Sequence, residues 1–377
     1  MHIAIDYTPA IHQRAGIGRY TRGLVQALTR LDAENQYTLL ALGQSGAHFV
    51  PTALPTNFSI RFAPISDRWA TVLWYRLNLP LPVELFSGRA DLFHGPSFTL
   101  PPSFAPSLLT VHDLSFLRYP QGAHPALLAW LTKAVPRSLH RARHVLADSV
   151  STRADLIELM QVPPDQITVI GAGVDERFKP EGEPETLARV RSHYQLPDRF
   201  VLSISTLEPR KNFTGLIAAF NLMAISSVPD LHLVIAGGKG WLYDDIFAAA
   251  EASPLRERIH FAGYVADEDL PALYSLAALF AFPSHYEGFG IPVLEAMACG
   301  TPVVCADNSS LPEIAGDAAL LVEATDTEAL ADAMHQLSID TSVREKLIRR
   351  GYEQAGRFTW EQAARRLVKV YHNMVRG

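Results

Sequence analysis

The sequence predicts an α/β protein built from two Rossmann-like domains, each with a parallel sheet. Short apolar segments alternate with helix-like segments from one end of the chain to the other. Continuous apolar strands joined by helices are typical of parallel sheets covered on both faces. Glycine, proline and charge cluster at 171–185, and 377 residues are enough for two domains. We therefore expect domains over 1–173 and 174–358, followed by a terminal helix over 359–377.

Seven strands are predicted in the first domain and six in the second. Those of the first are 2–7, 37–42, 58–63, 91–95, 108–113, 144–149 and 167–173. Those of the second are 200–205, 231–237, 259–263, 279–284, 302–306 and 319–324. Helices are expected from near Gly18, over 151–160, after Asn212 and over 360–375. The helix after Asn212 shows apolar residues at the spacing of one helix face: Phe213, Leu216, Ile217 and Phe220.

Composition excludes several classes of protein. Apolar residues make up 48% and charged residues 19%, which rules out global disorder. The net charge of −6 argues against nucleic-acid binding. Two cysteines, Cys299 and Cys305, exclude a disulfide scaffold, and their apolar surroundings indicate core positions. Because no apolar run is long enough to span a bilayer and no secretion signal precedes the first strand, we expect a cytoplasmic protein.

Charge is unevenly divided along the chain. Residues 1–170 hold 14 Lys and Arg against 11 Asp and Glu, so the remainder carries the acidic surplus. The basic residues gather in one stretch: Lys133, Arg137, His140, Arg141, Arg143 and His144. This pattern favours a solvated helix face. The alternative is a contact surface for anionic lipid or an anionic acceptor, which would place the protein at the inner face of the membrane.

Ligands of open parallel sheets bind beyond the carboxyl ends of the strands, so the loops there hold the candidate site residues. Gly16 and Gly18 flank a helix start after the first strand, but Thr21 stands where a dinucleotide fingerprint needs its third glycine. The loop is either a ligand approach to a helix N-terminus or a structural turn. His112 ends the fifth strand and is equally open between structural hydrogen bonding and catalysis.

Adjacent cations follow the eighth strand. Arg210 and Lys211 lie in the sequence TLEPRKN, just before a helix. Two cations beside the free amides of a helix N-terminus suit a diphosphate. An exposed basic loop is the alternative, although Glu208 and Pro209 favour a loop with a fixed conformation.

Two carboxylates follow the eleventh strand, in HYEGFGIPVLEAMACG. Glu287 lies between glycines, whereas Glu295 follows Pro292, which suits the first turn of a helix. Carboxylates accept hydrogen bonds from sugar hydroxyls, and helix amides bind phosphate. The loop therefore predicts a site for a sugar joined to a nucleoside diphosphate. Stabilisation of the helix dipole explains Glu295 equally well, but not Glu287.

The sequence predicts neither a metal site nor a bound cofactor. Asp267, Glu268 and Asp269 open a predicted helix, which indicates capping rather than metal binding. The histidines lack metal-ligand spacing, and no Gly-x-Ser-x-Gly elbow or Walker loop is present.

These motifs identify a resemblance to the retaining glycosyltransferases of the GT-B fold, family 4, in the glycosyl transferases group 1 class. The match is dense from Val201 to Tyr371 and includes TLEPRKN, FAGYV, PSHYEGFGIPVLEAMACGTPVV and LPEIAGDAALLVEATD. Before it, the match rests on GIGRYTRGL, HD at 112–113, ADS at 147–149 and GAGVD. TLEPRKN together with GIGRY also resembles bacterial mannosyltransferases of polysaccharide assembly.

The resemblance implies roles for individual residues. Glu287 would contact the donor sugar and Glu295 the ribose. The remaining donor-binding residues would be Gly16 and Gly18 near the diphosphate, Arg210 and Lys211 as the basic pair, Tyr264 and Val265 beside the base, and Phe289, Gly290, Ile291 and Leu294 of the glutamate block. His112 would lie near the reacting sugar, and the catalytic residues would be Glu287, His112, Lys211 and Arg210. Many members carry an Arg where this chain has Ser205, so Arg210 would supply the second cation.

The resemblance further implies two sheets facing a central cleft, with the last helix crossing back to the first domain. The first domain would bind the acceptor and the second the donor. The expected reaction is a retaining, metal-independent transfer of a hexose to a glycan, lipid-linked or small-molecule hydroxyl, with GDP-mannose as the favoured donor. UDP-glucose or another UDP-hexose is the alternative. A sugar epimerase or phosphorylase of the same fold and a non-catalytic sugar-nucleotide-binding module are the rivals.

Overall fold

The computed structural model describes residues 1–13, 16–43, 48–224 and 228–376. Contacts divide them into two compact units. The first unit contains the described residues of 1–114, 126–173 and 360–376, so the C-terminal helix groups with the first unit, as the resemblance implied. The second contains those of 115–125 and 174–359. The short segment 115–125 follows a strand of the first unit but packs within the second, which the sequence did not indicate.

The sheet of the first unit has seven parallel strands in the order β3-β2-β1-β4-β5-β6-β7. They are β1 His2–Asp6, β2 Gln36–Leu42, β3 Phe58–Ala63, β4 Leu92–Gly95, β5 Ser107–Val111, β6 His144–Ala147 and β7 Ile167–Val169. Its α-helices are α1 Thr8–His12, α2 Ile17–Leu31, α3 Asp67–Ala70, α4 Glu84–Ser87, α6 Pro125–Arg141, α7 Val150–Met160 and α16 Trp360–Arg376. Helix α5, Ser115–Arg118, belongs to the second unit.

The sheet of the second unit has six parallel strands in the order β10-β9-β8-β11-β12-β13. They are β8 Phe200–Ile204, β9 His232–Ala236, β10 Ile259–Gly263, β11 Leu279–Phe282, β12 Val303–Ala306 and β13 Ala319–Val322. The further α-helices are α8 Pro184–His193, α9 Phe213–Ala224, α10 Asp244–Glu251, α11 Leu270–Leu276, α12 Ile291–Ala298, α13 Leu311–Ala315, α14 Thr327–Ile339 and α15 Thr341–Gly356.

The predicted fold class and the predicted strands are confirmed. Strands β5, β11 and β12 are buried at every residue, because helices cover both faces of each sheet. Cys299 and Cys305 lie in this core as expected, and burial raises the pKa of the Cys305 thiol to about 12.

Helix α16 completes the first unit by packing against α2. Gly23 lies where a Cβ atom would be 2.4 Å from the indole of Trp360, so the two helices approach too closely there for any larger residue. Further along α16, the hydroxyl of Tyr371 lies 2.8 Å from Nδ1 of buried His94 on β4. The terminal helix is thereby bonded to the centre of the first sheet.

Much of the basic stretch is exposed, as the favoured interpretation expects, with Lys133, Arg137 and His140 exposed on α6. Arg137 donates to the carbonyl oxygen of Tyr75 at 3.3 Å, and Arg141 donates to that of Leu100 at 2.9 Å. Arg143 lies beyond the end of α6. These arginines tie α6 to neighbouring segments. Within the described residues, no helix is long and apolar enough to cross a membrane.

Candidate active site

The loop after β8 is fixed by the side chain of Asn212. Its amide donates to the carbonyl oxygens of Pro283 and Ala324, at 3.1 and 2.7 Å, and these residues follow β11 and β13. Its Oδ1 accepts from the amide of Gly215 in the first turn of α9. Asn212 adopts a left-handed conformation, with φ of 56°, which asparagine tolerates better than most residues. One side chain thus connects the ends of three strands.

Arg210 and Lys211 converge on Glu287. The Lys211 ammonium donates to Oε1 of Glu287 at 2.6 Å, and the Arg210 guanidinium donates to Oε2 at 3.1 Å. Arg210 also donates to Glu208 at 2.7 Å and to the carbonyl oxygen of Tyr286 at 2.6 Å. The cations are thus balanced by two carboxylates rather than forming a separate positive site. The two sequence motifs meet in one ion-pair cluster at the carboxyl edge of the sheet.

The electrostatics of the cluster keep Glu287 ionised. Burial alone would raise the pKa of its carboxyl, but Lys211 and Arg210 lower it to about 2. Burial and the neighbouring Arg210 lower the pKa of Lys211, while Glu287 opposes that shift. Charges held together in a buried cluster interact more strongly than they do in water, which suits them to stabilise an anionic leaving group.

The Glu287 loop is held by two serines that the sequence analysis did not single out. The Glu287 amide donates to the Ser309 hydroxyl at 2.9 Å. The Ser310 hydroxyl lies 3.0 Å from the carbonyl oxygen of Glu287 and 2.7 Å from that of Phe289. Both serines follow the carboxyl end of β12, and their position after a strand was visible in the sequence.

Helix α12 begins directly after this loop. Gly290 has a φ of 112°, and a Cβ there would lie 2.8 Å from Cδ2 of Leu311. Glycine therefore satisfies both the backbone conformation and the close contact. Ile291 and Pro292 form the first turn, as predicted. Amides at such a turn have no carbonyl partner in their own helix, so those of Gly290 and Ile291 suit an anion.

Two other residues of the block are deeply buried. Glu295 is 1% exposed, and its Oε2 accepts from the Tyr274 hydroxyl at 3.0 Å. Leu294 is completely buried among core side chains. The donor contact expected of Leu294 stays a prediction, with the side chain packed in the core. Phe289 is also buried, so its backbone is the part suited to a ligand.

The predicted base-contacting residues differ in exposure. Tyr264 and Val265 follow β10, the first 47% exposed and the second buried. The ring of Tyr264 can therefore offer a surface to a planar group, whereas Val265 supports the loop beneath.

In the first unit, Gly16 and Gly18 lie in different surroundings. A Cβ at Gly18 would lie 2.2 Å from the carbonyl oxygen of Gln13, so Gly18 is required by packing. Gly16 has a φ of 55°, and no described atom lies within 4 Å of its Cβ position. The structural interpretation accounts for Gly18, while the space beside Gly16 suits the approach of a ligand.

His112 is buried at the end of β5. Its Nδ1 lies 2.7 Å from Oδ2 of Asp148, and its Nε2 lies 2.8 Å from the carbonyl oxygen of Pro96. Both ring nitrogens therefore have partners within the unit. Asp148 was visible in the sequence as part of ADS, but nothing in its spacing pointed to His112, which lies 36 residues earlier.

The acidic triplet does not act as a side-chain cap. Asp269 precedes α11 but makes no capping hydrogen bond. Its carboxylate accepts from Arg189 at 2.5 Å and from the Tyr194 hydroxyl at 2.9 Å. Asp267 lies 3.8 Å from Arg177. These carboxylates thus bind arginines of the same unit.

Comparison with known proteins agrees with this geometry. Residues 187–354 match the family model described as Glycosyl transferases group 1, and residues 14–178 match that of Glycosyltransferase Family 4. The O-antigen chain mannosyltransferase B of Escherichia coli is 35% identical over 379 residues, which cover 98% of this chain and 99% of that protein.

Solved structures show the same fold. Sucrose-phosphate synthase from Thermosynechococcus elongatus has a TM-score of 0.78 and 22% identity, with 99% of each chain covered. HepE from Anabaena, solved in complex with UDP and glucose, has a TM-score of 0.73 and 19% identity, with 98% of this chain and 99% of that chain covered. With the full-length relative and both family models, these likenesses show that the chain belongs to the GT-B glycosyltransferases of family 4, in the group 1 class.

Proposed function

We propose that the protein transfers a hexose, with retention of configuration and without a metal, from a nucleoside diphosphate sugar to a hydroxyl group. The second unit would bind the donor and the first the acceptor. The observation that carries this proposal is the meeting of Arg210, Lys211 and Glu287 beside the first turn of α12. Cations, a carboxylate and helix amides are the groups needed to hold a diphosphate and a sugar.

The cluster provides a route to leaving-group stabilisation. Within the cluster, Lys211 and Arg210 are bonded to carboxylates. A diphosphate carries more than one negative charge, so it can share these cations and the amides of α12 as its charge grows in the transition state. Glu287, held ionised, can accept hydrogen bonds from sugar hydroxyls. The leaving phosphate would help to deprotonate the acceptor in a front-face reaction.

GDP-mannose is the proposed donor because the relative that matches this chain over almost its whole length is named a mannosyltransferase. A UDP-hexose is the second candidate, since HepE was solved with UDP and glucose. A panel of nucleotide sugars, scored by turnover and by thermal shift, tests the choice, because a ligand that binds only the folded state raises its apparent stability. Turnover of UDP-glucose but not GDP-mannose would reject the mannose proposal, and binding without transfer or hydrolysis would indicate a non-catalytic module.

Metal independence is proposed because Arg210 and Lys211 supply two cations in one cluster, which could compensate the charge of a diphosphate. The acidic triplet is also engaged, with Asp269 bonded to Arg189 and Asp267 near Arg177. Treatment with EDTA should leave transfer unchanged. Loss of activity that manganese or magnesium restores would reject this part of the proposal.

A lipid-linked acceptor and a peripheral membrane contact are proposed from the surface of the first unit. Large exposed side chains of the first unit are Trp69 and Leu77, and also Leu85 and Phe104, whose segments are joined by the Phe104 amide donating to Glu84 at 2.9 Å. Exposed Arg68 and Arg76 precede Trp69 and Leu77 in the chain, and apolar side chains with nearby arginines suit an anionic bilayer.

Sedimentation with phosphatidylglycerol vesicles tests this contact. The variant carrying Leu77→Ser and Phe104→Ser should bind less than the unchanged protein. Ile339→Ser, at an equally exposed position of the second unit, is the matched control. Equal sedimentation of all three proteins would contradict the contact.

A further inference from the structure

The imidazole of His112 joins the ends of three neighbouring strands. Pro96 directly follows β4, His112 follows β5 and Asp148 follows β6. The two ring nitrogens connect the loop after β6 with the loop after β4. Nδ1 lies 2.7 Å from Asp148, and Nε2 lies 2.8 Å from the Pro96 carbonyl oxygen. The His112 carbonyl oxygen accepts from the Thr152 hydroxyl in α7 at 3.2 Å. One residue therefore holds the carboxyl edge of the first sheet, the edge where ligands of such sheets bind.

These contacts determine how many protons the pair holds. A carbonyl oxygen has no proton to donate, so Nε2 must carry one to bond Pro96. The short contact between Nδ1 and the Asp148 carboxylate also requires a proton between the two atoms. The pair therefore holds two protons, as an imidazolium beside a carboxylate or as a neutral imidazole beside a protonated Asp148, whose pKa is raised by burial.

The surroundings of the ring favour the imidazolium. Burial lowers the pKa of His112, but the charge and hydrogen bond of Asp148, with the Pro96 carbonyl and nearby Asp113, raise it above the ordinary value overall. Tyr20 of α2 packs its ring edge against the imidazole, with centroids 4.8 Å apart. Burial, with a further effect of the charge on His112, lowers the pKa of His94 on β4 to about 3, so His94 is uncharged near neutral pH.

We propose that Asp148 is a positioning residue that keeps His112 as an imidazolium, and that this charged link holds the acceptor side of the first unit in its working geometry. His112 then acts as a fixed link rather than as a general base, since neither ring nitrogen is available to take a proton. The effect on transfer rests on the proposed function, whereas the charge state of His112 does not.

Nitrogen-15 NMR of the histidine rings tests the charge state without any substrate. With His112 assigned through its backbone resonances, both ring nitrogens should show imidazolium shifts between pH 5.5 and 8. Titration of His112 near its ordinary pKa of about 6.5 would overturn the proposal. In Asp148→Asn, by contrast, the pKa of His112 should fall, because the ring stays buried while the carboxylate that retains the proton is absent.

The pH dependence of kcat/KM tests the positioning role. In Asp148→Asn, both protonation states of His112 can keep both partners, because the amide can accept from Nδ1–H or donate to unprotonated Nδ1, but only the imidazolium makes the stronger charge-assisted hydrogen bonds. The ratio of variant to unchanged activity should therefore fall about tenfold for each pH unit above the pKa that NMR gives for His112 in the variant, if it follows the imidazolium fraction. His144→Gln is the matched control, because His144 starts β6 at the opposite edge and its Nε2 lies 2.8 Å from Thr168. It should show a constant ratio.

The outcomes separate the two hypotheses. A low ratio that is constant with pH would show that Asp148 is needed only for folding, and would overturn the positioning role. If no nucleotide sugar is turned over by the unchanged protein, the proposed function fails, while the NMR titration still decides the charge state of His112.

Discussion

The Lys211 ammonium and the Glu287 carboxylate form a buried ion pair of 2.6 Å that joins the loop after β8 to the loop after β11. The two residues are 76 positions apart in the sequence. Because the pair is buried and shared with Arg210, removing one partner changes the charge and the geometry of the others. Measurements on single variants must therefore distinguish an effect on ligand binding from damage to the cluster itself.

Lys211→Ala should weaken binding of nucleoside diphosphate more than binding of nucleoside monophosphate, and should lower kcat. Charge on the leaving group grows toward the transition state, so a lost cation costs most there. Calorimetry with GDP and GMP, together with steady-state kinetics, measures both effects. Lys346→Ala, at an exposed position of α15, is the control. Equal losses for both nucleotides would instead indicate a general defect of the unit.

Glu287→Gln should lower turnover of the intact donor by about 100-fold, the size of effect seen when a preorganised polar contact is lost. Binding of the sugar-free nucleoside diphosphate should change little, because this side chain is assigned to the sugar. Glutamine keeps the shape of the side chain, so its effect reports mainly the lost charge. A thermal unfolding scan shows whether the two cations left behind destabilise the second unit.

Glu295→Gln should show the opposite preference, with weaker binding of both the intact donor and the sugar-free nucleotide. The Glu295 carboxylate is held by the Tyr274 hydroxyl at 3.0 Å, and Tyr274→Phe is expected to reproduce a part of the loss. Calorimetry on both glutamate variants with both ligands decides the assignment. If Glu287→Gln weakens the bare nucleotide more than Glu295→Gln does, the roles are reversed.

Gly290→Ala should destabilise the second unit by about 1–3 kcal/mol, the range for a residue forced into an unfavourable backbone conformation. The new Cβ would also lie 2.8 Å from Cδ2 of Leu311, so this side chain or the start of α12 must shift. Donor binding should weaken as well, because the amides of the first turn move. Gly356→Ala, with no atom within 4 Å of its Cβ position, is the control and should retain full stability and binding.

His94 should make the first unit sensitive to acid. Burial lowers its pKa to about 3, whereas an unfolded histidine titrates near its ordinary value of about 6.5. Between these values the unfolded chain binds a proton that the folded chain excludes. The free energy of unfolding should therefore decrease as the pH is lowered. For His94 alone, the decrease from pH 7 to pH 5 should be about 2 kcal/mol.

Urea unfolding of the unchanged protein and of His94→Gln checks this at both pH values. Tryptophan fluorescence reports mainly on the first unit, because four of the 5 tryptophans lie there: Trp69, Trp74, Trp130 and Trp360. The variant should lose this part of the pH dependence. Burial raises the pKa of Asp6 to about 6, which gives the opposite slope, but that effect is common to both proteins. An equal pH dependence in both would show that His94 does not cause it.

The sequence by itself determined the class of fold and the position of every predicted strand. Apolar runs such as 279–284 and 302–306 carry this information locally, because a strand covered on both faces must be apolar throughout. The helix starts near Gly18, Phe213 and Pro292 were likewise predictable, since helical periodicity and the residues at a helix start act over a few positions. The glutamate block was visible because its glycines and carboxylates lie close together in the chain.

Only the tertiary structure decided which distant side chains meet. It brought Lys211 to Glu287, Asp148 to His112 and Asn212 to the ends of β11 and β13. It also turned Leu294 into the core, and grouped 115–125 with the second unit. Parallel strands bring residues dozens of positions apart to one edge, and the order of strands in the sheet, which no local pattern encodes, selects the pairs that touch.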